Sequence, residues 1–579
     1  MPRLIQFRVA KLLKLKPRHC LLLCVLLVSF LSVWNSNNND SHETIPANSH
    51  ASNTLQRSTA NNNSPVCKDG CAFPDSPLHQ SIFVYPNPHT EATLFAKFQS
   101  TTNATTTIEW PWILQRDKMR REGTFLLDET DPSLSQFALD LLVYELFTSP
   151  CACLRTHNPA TAKLFFVPFL PSVFRRGGDA QWTLEAVPHT SIYEQALAKA
   201  MTGQSYDEWE QVFGLTSDYW KRHQGRDHVV VMPEPLHGLY HPPGKRGFHH
   251  YIKTQKQLAA PIVISVELSR TFQETYPQCF QKNIVLPYPN IDGRWFNGAW
   301  DRQTKRLQLE ITPQQHQQST TSRRPLWMYY DAGNHGECLA LRQALKTDYD
   351  CEQQLEEPNA ELLQTLAQRS RHEAFPMGMR LATFCPCPGG DSPSAKRMLD
   401  AILAGCIPVV LSKDFVWPFT SSSLSSNNNN TNSVGGALLN PHDFAIHLDA
   451  KQFMKPVYHK VANGSNVVCQ RQTTAEPGQE ESLSEYLRRT VSLSDIARLQ
   501  RGVQKAAKLY AYYSVATTEN NNNNPLRAGV LPTGGAAERL LEELAQRSAM
   551  GNKIWEDCQQ EKASVTKRFG GKMITVNKC

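Results

Sequence analysis

The residues with the clearest chemical potential lie in one segment, residues 384–419, which reads FCPCPGGDSPSAKRMLDAILAGCIPVVLSKDFVWPF. A strand is predicted over 381–385, and the chain then reaches Gly389 and Gly390. Glycine has no Cβ, so a backbone turn at these two positions can approach a ligand closely. The segment therefore predicts a ligand-binding turn at the carboxyl end of a strand.

A helix is predicted directly after this turn, over residues 393–404. Pro393 suits the first helical position, and Asp391 or Ser392 can act as the cap. The first amides of a helix have no intrahelical partner, and the helix dipole places partial positive charge there. A strand, a glycine turn and a capped helix together suit the binding of a diphosphate.

Three side chains of the predicted helix could add to such a site. Lys396 and Arg397 fall in its first turns, and at least Arg397 could reach phosphate oxygens because helical side chains lean toward the N-terminus. Asp400 could accept hydrogen bonds from ribose hydroxyls. The alternative is that Lys396 and Asp400 form an ordinary surface pair at i,i+4 spacing, and that the glycines merely turn the chain.

Short apolar runs that alternate with helical patterns surround this segment, and they predict an α/β protein with parallel sheets. Helices are predicted over 133–147, 338–346 and 360–371. Strands are predicted over 82–85, 164–169, 228–232, 262–266, 283–287, 326–330, 381–385 and 408–411. Ligands of such sheets bind at the carboxyl ends of the strands, so a chain with two such domains should bind substrate in the cleft between them.

Polar stretches divide the 579-residue chain, which is long enough for several domains. Residues 312–324 look like an interdomain linker, and the Asn runs within 420–433 and 517–525 look like surface insertions. The predicted organisation is a basic tail (1–19), an anchor (20–34), a disordered stem (35–78), an N-terminal Rossmann-like acceptor-side domain (79–311), a linker (312–324), a C-terminal Rossmann-like donor-binding domain (325–515), and an insertion with a helical tail (516–579).

The N-terminus predicts a signal anchor. Residues 20–34, CLLLCVLLVSFLSVW, form an uncharged apolar run of 15 residues without good cleavage chemistry. Basic residues precede this run, so the tail should face the cytosol and the body the lumen. The alternative is a buried core helix. The basic residues of the tail are Arg3, Arg8, Lys11, Lys14, Lys16 and Arg18.

Charge and cysteine usage narrow the function further. Six of the +7 formal charges lie in the tail, so the body is close to neutral and nucleic-acid binding is not expected. The body contains thirteen cysteines, an odd number that leaves at least one thiol unpaired. Its two CxC pairs lack a matching zinc partner set, so disulfides or buried thiols are predicted. Glycosylation sequons begin at Asn39, Asn62, Asn103, Asn429 and Asn463.

The 384–419 segment resembles the donor-binding signature of the exostosin family, glycosyltransferase family 47. Other stretches, all earlier in the chain, also resemble that family and occur in its order. They are IFVY from Ile82, RTHNPATAKLFFVPF from Arg155, GRDHVVV from Gly225, PIVISVE, KNIVLPY and 326–333. The positions that carry the signature are Gly390, Asp391, Pro393, Ser394, Arg397, Asp400, Ala401, Gly405, Cys406, Pro408, Pro418 and Phe419.

The resemblance implies a GT-B-like fold of two Rossmann-like domains facing a cleft. It further implies an inverting transfer from a UDP-sugar to a glycan or glycoprotein, a Golgi membrane location, and no required cofactor or metal. Arg397 would then stabilise the departing diphosphate. Ser394, the amides of Gly389 and Gly390, Asp391, Asp400, and Gly333 after the 326–330 strand complete the expected donor site. Homo- or hetero-oligomers are left open.

An inverting transfer needs a base near the acceptor hydroxyl, from the N-terminal domain. Glu234 and His237 follow the 228–232 strand and are the candidates, while Asp227 and His228 begin that strand and fit a structural role better.

The donor segment contains no DxD triplet to hold a cation. The nearest approach, Asp348, Tyr349 and Asp350, lies far from it in sequence and is interpreted as a solvated helix end. Two rival functions remain. The chain could be an inactive exostosin-like luminal binding or scaffold partner of an active transferase. A secreted hydrolase fits less well, because neither GxSxG nor HExxH occurs.

Overall fold

The residues that the structure describes all lie in one unit of the chain, Cys67–Cys579. In the described part, no helix combines the length and apolar character needed to cross a membrane. The predicted anchor, residues 20–34, lies outside that part. The computed structural model describes residues 70–86, 139–168, 199–200, 205–233, 261–289, 300–301, 306–307, 324–333, 338–355, 360–368, 371–390, 392–419, 439–463, 466–472, 481–512, 534–549, 556–558, 560–561 and 563–564.

The first sheet contains parallel strands in the order β2-β1-β3-β4-β5-β6. Its strands are β1 (Ile82–Val84), β2 (Arg155–Thr156), β3 (Leu164–Phe166), β4 (His228–Met232), β5 (Ile262–Ser265) and β6 (Asn283–Val285). Strands β3 to β6 are buried at every residue, as expected for a parallel sheet covered on both faces. The five strands predicted here are confirmed, and the short β2 was not predicted.

Short helices accompany this sheet. They are α1 (Leu139–Thr148), α2 (Trp209–Phe213), α3 (Asp218–His223) and α4 (Arg270–Thr275), followed by a small hairpin of β7 (Trp300–Asp301) and β8 (Arg306–Leu307). Helix α1 confirms the described part of the helix predicted over 133–147. Phe73 and Leu78 are buried in the same core, and Cys71 is disulfide-bonded to Cys153. The residues from 70 to 78, predicted as the end of the stem, therefore belong to the folded body.

The second sheet is also parallel and has the order β12-β11-β10-β9. Its strands are β9 (Leu326–Met328), β10 (Ala382–Pro388), β11 (Ile407–Leu411) and β12 (Ile446–His447). The helices between them are α5 (Leu339–Leu355), α6 (Ala360–Ala367), α7 (Arg371–Leu381) and α8 (Lys396–Leu403). An α/β architecture with two parallel sheets is thus confirmed for the described residues.

Two prolines in the central strand β10 shape the edge of this sheet. The carbonyl of Phe384 accepts a hydrogen bond from Tyr329 N at 3.0 Å, so Pro386 and Pro388, two and four residues on, present their backbone to the same side. Pro386 lacks the N–H group that would continue the ladder to β9, so the pairing of these two strands ends there, while β10 stays paired with β11 up to Pro388.

The C-terminal part adds elements beside the second sheet, and its last residues then contact the first sheet. It forms the hairpin β13 (Tyr458–Asn463) and β14 (Asn466–Arg471), then α9 (Leu483–Thr490), α10 (Leu493–Tyr510) and α11 (Gly535–Ala549). Arg547 of α11 donates to the carbonyl of Asn283 at 3.2 Å. Cys558 is disulfide-bonded to Cys279, and the Glu561 carboxylate accepts from the Cys279 amide at 3.1 Å. The predicted tail is thus part of the body.

The cysteines follow the sequence prediction. Further disulfides join Cys351 to Cys469 and Cys385 to Cys406. Cys151 and Cys338 are disulfide-bonded as well. Of the described cysteines, Cys387 alone is a free thiol, and its burial raises its pKa to about 12. Each CxC pair is accounted for by disulfides or a buried thiol.

The interpretation of the Asp348 triplet as a solvated helix end is wrong. Asp348 lies inside α5 and is buried, and its carboxylate accepts from the amides of Val457 at 2.7 Å and Tyr458 at 3.0 Å. One turn later, buried Glu352 accepts a hydrogen bond from the Ser482 hydroxyl. Burial raises the pKa of Asp348 to about 6 and that of Glu352 to about 7. These carboxylates attach α5 to the β13–β14 hairpin and to the start of α9.

Replacing Glu352 with Gln should stabilise the protein increasingly as the pH rises. Between the ordinary Glu value of 4.5 and about 7, the unfolded chain releases a proton that the folded Glu352 keeps, so the wild type loses stability as the pH rises. Glutamine cannot ionise and avoids this loss. Chemical unfolding from pH 5 to pH 8 should show that the free energy of unfolding of the variant rises relative to that of the wild type as the pH rises. Replacement of the exposed Glu538 with Gln gives the control. A difference that does not change with pH would contradict the raised pKa.

Candidate functional site

The candidate site lies at the carboxyl edge of the second sheet, where β9 runs into residues 331–333 and β10 runs into Gly389. Helix α8 begins at Lys396, three residues later than predicted. Its N-cap is Ala395, in extended conformation and without a side-chain capping bond, so the prediction that Asp391 or Ser392 caps the helix is wrong. The physical reason is a competing partner for Ser392 from the other sheet.

That partner is Glu267, which follows β5 of the first sheet and is 1% exposed. Its Oε2 accepts hydrogen bonds from the Ser392 hydroxyl at 2.5 Å and from the Ser394 amide at 2.8 Å. The Ser394 hydroxyl also pairs with the Tyr288 hydroxyl at 2.7 Å. Burial, and then the Glu267 charge, raise the pKa of Tyr288 well above its ordinary value. Ser394 thus joins the glycine turn to the first sheet.

Arg397 lies beside the turn that follows β9. Its Nη2 donates to the carbonyl of Asp331, and its guanidinium carbon lies 5.2 Å from the ring centroids of both Tyr330 and Phe375. Two aromatic contacts and a backbone bond hold a delocalised, permanently charged group in one orientation. Arg397 is half-buried, so a fixed cation stands at the sheet edge where an anionic ligand is expected.

Arg342 of α5, which the sequence analysis missed, connects two predicted site residues. Its Nε and Nη2 donate to the carbonyl of Gly389 at 3.1 and 2.7 Å, and its Nη1 donates to the carbonyl of Gly333 at 3.2 Å. The glycines that follow β9 and β10 are thereby brought to one buried guanidinium. The signal in the sequence was an arginine in helical register with Leu345 and Tyr349, on the apolar face of a helix.

Gly390 and Asp400 flank this group. The Gly390 amide donates to the Ser392 carbonyl at 2.8 Å, and a Cβ at Gly390 would approach the Ser394 carbonyl oxygen at 3.2 Å. The turn is therefore tight enough to favour glycine. Lys396 and Asp400 form the i,i+4 pair of the alternative interpretation at 2.6 Å, but only 14% and 4% of their side chains are exposed. The pair is therefore largely buried rather than on the surface, and the contact of Asp400 with a ribose stays a prediction.

The base candidates of the N-terminal domain are placed only in part. Glu234 and His237 lie outside the described residues, as does Asp391 of the predicted donor site. His228 is fully buried, with Nδ1 2.8 Å from an Asp227 carboxylate oxygen and Nε2 2.8 Å from the Tyr85 hydroxyl. Burial lowers the pKa of His228 although Asp227 opposes the shift. The buried imidazole, held between Asp227 and Tyr85 at the beginning of β4, favours the structural role.

Comparison with known proteins agrees with this geometry. Residues 80–434 match the model of the Exostosin GT47 domain, and they include both sheets up to the end of β11. A probable arabinosyltransferase of Arabidopsis thaliana is 24% identical over 287 residues, which are 48% of this chain and 51% of that protein. A probable glucuronosyltransferase of Oryza sativa subsp. japonica is 24% identical over 293 residues, 49% of this chain and 58% of that protein.

A third relative, a probable beta-1,4-xylosyltransferase of Arabidopsis thaliana, is 22% identical over 286 residues, 48% of this chain and 56% of that protein. The chain thus spans about half the length of the curated relatives it matches. The family model covers more than half of this chain and includes the glycine turns, Glu267, Arg342 and Arg397. The chain belongs to the exostosin GT47 family.

Proposed function

We propose that this chain is a glycosyltransferase that transfers a sugar, with inversion, from a UDP-sugar to a glycan or glycoprotein acceptor. The observation that carries the proposal is the fixed guanidinium of Arg397 beside the glycine turn, in a chain of the GT47 family. The relatives are named as transferases of different sugars, so the donor sugar is a separate question. A GT-B-like arrangement accounts for two parallel sheets whose carboxyl edges meet at Ser394.

In the proposed reaction the donor diphosphate lies at the Gly389 turn and the start of α8. Negative charge develops on the leaving UDP, and a cation whose orientation is already fixed stabilises that charge without reorganising. Arg397 supplies this cation, and the first amides of α8 supply further donors. Ser394 contributes to the position of the turn through Glu267 and Tyr288.

The acceptor is proposed to bind at the first sheet, with Glu234 or His237 as the base. Strands β4 and β5 are adjacent and parallel, so Pro233 after β4 and Glu267 after β5 lie at the same edge. Glu267 contacts the glycine turn, and Glu234 directly follows Pro233 in sequence. A base introduced after β4 is therefore on the correct side of the molecule to face the donor.

A Golgi membrane protein with a luminal body is the proposed setting. Disulfides form and persist in oxidising compartments, and several join distant parts of this chain. The basic tail and apolar run at the N-terminus supply the proposed anchor.

Replacing Arg397 with Ala should weaken UDP binding and lower kcat/KM. The expected loss of transition-state stabilisation is about 2 to 4 kcal/mol. The variant loses the cation assigned to the leaving diphosphate, and only the amides of α8 remain. UDP affinity by calorimetry and initial rates with a UDP-sugar panel measure the effect. Arg488, whose guanidinium lies 5.0 Å from the ring of Trp327, supplies the control, because it makes a similar aromatic contact on α9. A folded Arg397→Ala protein with wild-type affinity and turnover would refute the assignment.

Chelation should leave most of the transfer activity intact. The triplet closest to a metal-binding DxD has its carboxylates engaged, Asp348 by two backbone amides and Asp350 by Lys460 at 2.9 Å. Initial rates are compared with EDTA, and then with added manganese. Loss of activity with chelator and recovery with manganese would make a bound cation part of the mechanism and displace Arg397 from its proposed role.

The body of the protein should be protected in sealed microsomes. Six basic residues before the apolar run predict retention of the tail in the cytosol. Protease added outside should leave the C-terminal region intact, and detergent should expose it. Digestion of that region without detergent contradicts the proposed topology.

A further inference from the structure

Two arginines, the half-buried Arg324 and the buried Arg342, bind backbone carbonyls at opposite edges of the second sheet. Arg324 precedes β9, and its Nη1 donates to the carbonyls of Arg380 at 2.8 Å and Ala382 at 2.9 Å. Its Nη2 donates to the carbonyl of Ala404 at 3.3 Å. These carbonyls lie where β10 and β11 begin, so Arg324 ties together the amino edge of the sheet. Burial lowers its pKa to about 10, which leaves it charged at neutral pH.

Arg342 makes the same kind of contact at the carboxyl edge. It is 7% exposed, and its fork spans Gly389 after β10 and Gly333 after β9. A planar guanidinium donates in fixed directions, and a lysine ammonium cannot reproduce that fork. The distance between the two glycine turns is therefore set by one side chain that comes from neither turn.

The contacts of Arg342 continue toward the proposed donor site. In a trans peptide the carbonyl and the following N–H point in opposite directions, so a Gly389 carbonyl held by Arg342 directs the Gly390 amide away from it. That amide donates to the Ser392 carbonyl, and the Ser392 hydroxyl donates to Glu267. One guanidinium thus orients the glycine turn from the side opposite to the first sheet.

The turn after β9 is held by both arginines of the site. Arg342 binds the carbonyl of Gly333, and Arg397 binds the carbonyl of Asp331. Releasing Gly333 would therefore disturb the carbonyl that orients Arg397, although Arg342 itself contacts other atoms. The two guanidinium groups are coupled through one short turn.

We propose that Arg342 is a positioning residue of the donor site, which holds the Gly333 and Gly389 turns together and thereby places the diphosphate-binding groups. The proposal rests on the proposed function and deepens it. Arg324, with the same chemistry at the opposite edge, has a purely structural role. The two arginines consequently provide a matched comparison between positioning and stability.

The test compares Arg342→Lys and Arg342→Ala with Arg324→Lys and Arg324→Ala in the full chain. Thermal unfolding measures stability, calorimetry measures the Kd for UDP, and initial rates with a UDP-sugar give kcat and KM. All variants should unfold at lower temperature, because each leaves buried carbonyls without their donor. The Arg342 variants should in addition bind UDP about tenfold more weakly or worse, while the Arg324 variants keep wild-type affinity below their unfolding temperature.

Rescue by free guanidinium separates positioning from general destabilisation. Added to Arg342→Ala, guanidinium at a concentration below its denaturing range should recover part of the UDP affinity. It should recover none with Arg342→Lys, whose side chain still fills the space. If Arg342→Ala is too unstable to purify, the Kd of Arg342→Lys for UDP decides the test.

Wild-type UDP affinity and kcat/KM in a folded Arg342 variant would overturn the proposal and leave the proposed function standing. Equal losses of UDP affinity in Arg342 and Arg324 variants would also overturn it, since both would then act through stability. A wild-type protein that neither binds UDP nor transfers sugar would overturn the proposed function, and this proposal with it.

Discussion

The contact between Glu267 and the Ser392–Ser394 turn determines how the two sheets can work together. A buried carboxylate is tolerated only when hydrogen-bond donors compensate its charge, and here the donors come from the opposite sheet. The Ser265 hydroxyl donates to the Glu267 carbonyl at 3.0 Å, so the backbone of this residue is also held. The glycine turn is consequently positioned by the first sheet as much as by the second, and the helix begins later than its own sequence favours.

The second sheet is built differently at its two ends. At its amino edge a guanidinium joins the strand starts, and the β10–β11 pair is fastened by the Cys385–Cys406 disulfide. At its carboxyl edge, Pro386 and Pro388 have no N–H group to donate on the side that faces β9, so the pairing with β9 does not continue into the turns that follow. The turns at this edge are held by Arg342, Arg397 and Glu267, which suits preorganised binding because the binding groups are placed before the ligand arrives.

Features that depend on residues close together in the sequence were predicted, whereas features that depend on contacts between distant residues were not. The strands were predicted well because a parallel strand that is buried on both faces appears in the sequence as a short continuous apolar run. Strand β4 ends at the predicted residue. The start of α8 was not predicted, since Ser392 bonds Glu267 of the other sheet instead of capping the helix. Arg342 was overlooked because its partners, Gly333 and Gly389, follow two different strands and meet only in the folded chain. Asp348 was misread as solvated because the amides that bury it belong to a hairpin more than a hundred residues away.

The Cys279–Cys558 disulfide changes the connectivity of the molecule. With a separation of 279 residues along the chain, it closes a covalent ring that contains every strand of the second sheet. The second sheet is thereby connected covalently to the first in two ways, through the chain that leaves β6 and through this disulfide. The bridge therefore limits how far the second sheet can move away from the first. Because of this ring, a single backbone cut anywhere between residues 279 and 558 would leave the two pieces of the chain covalently joined.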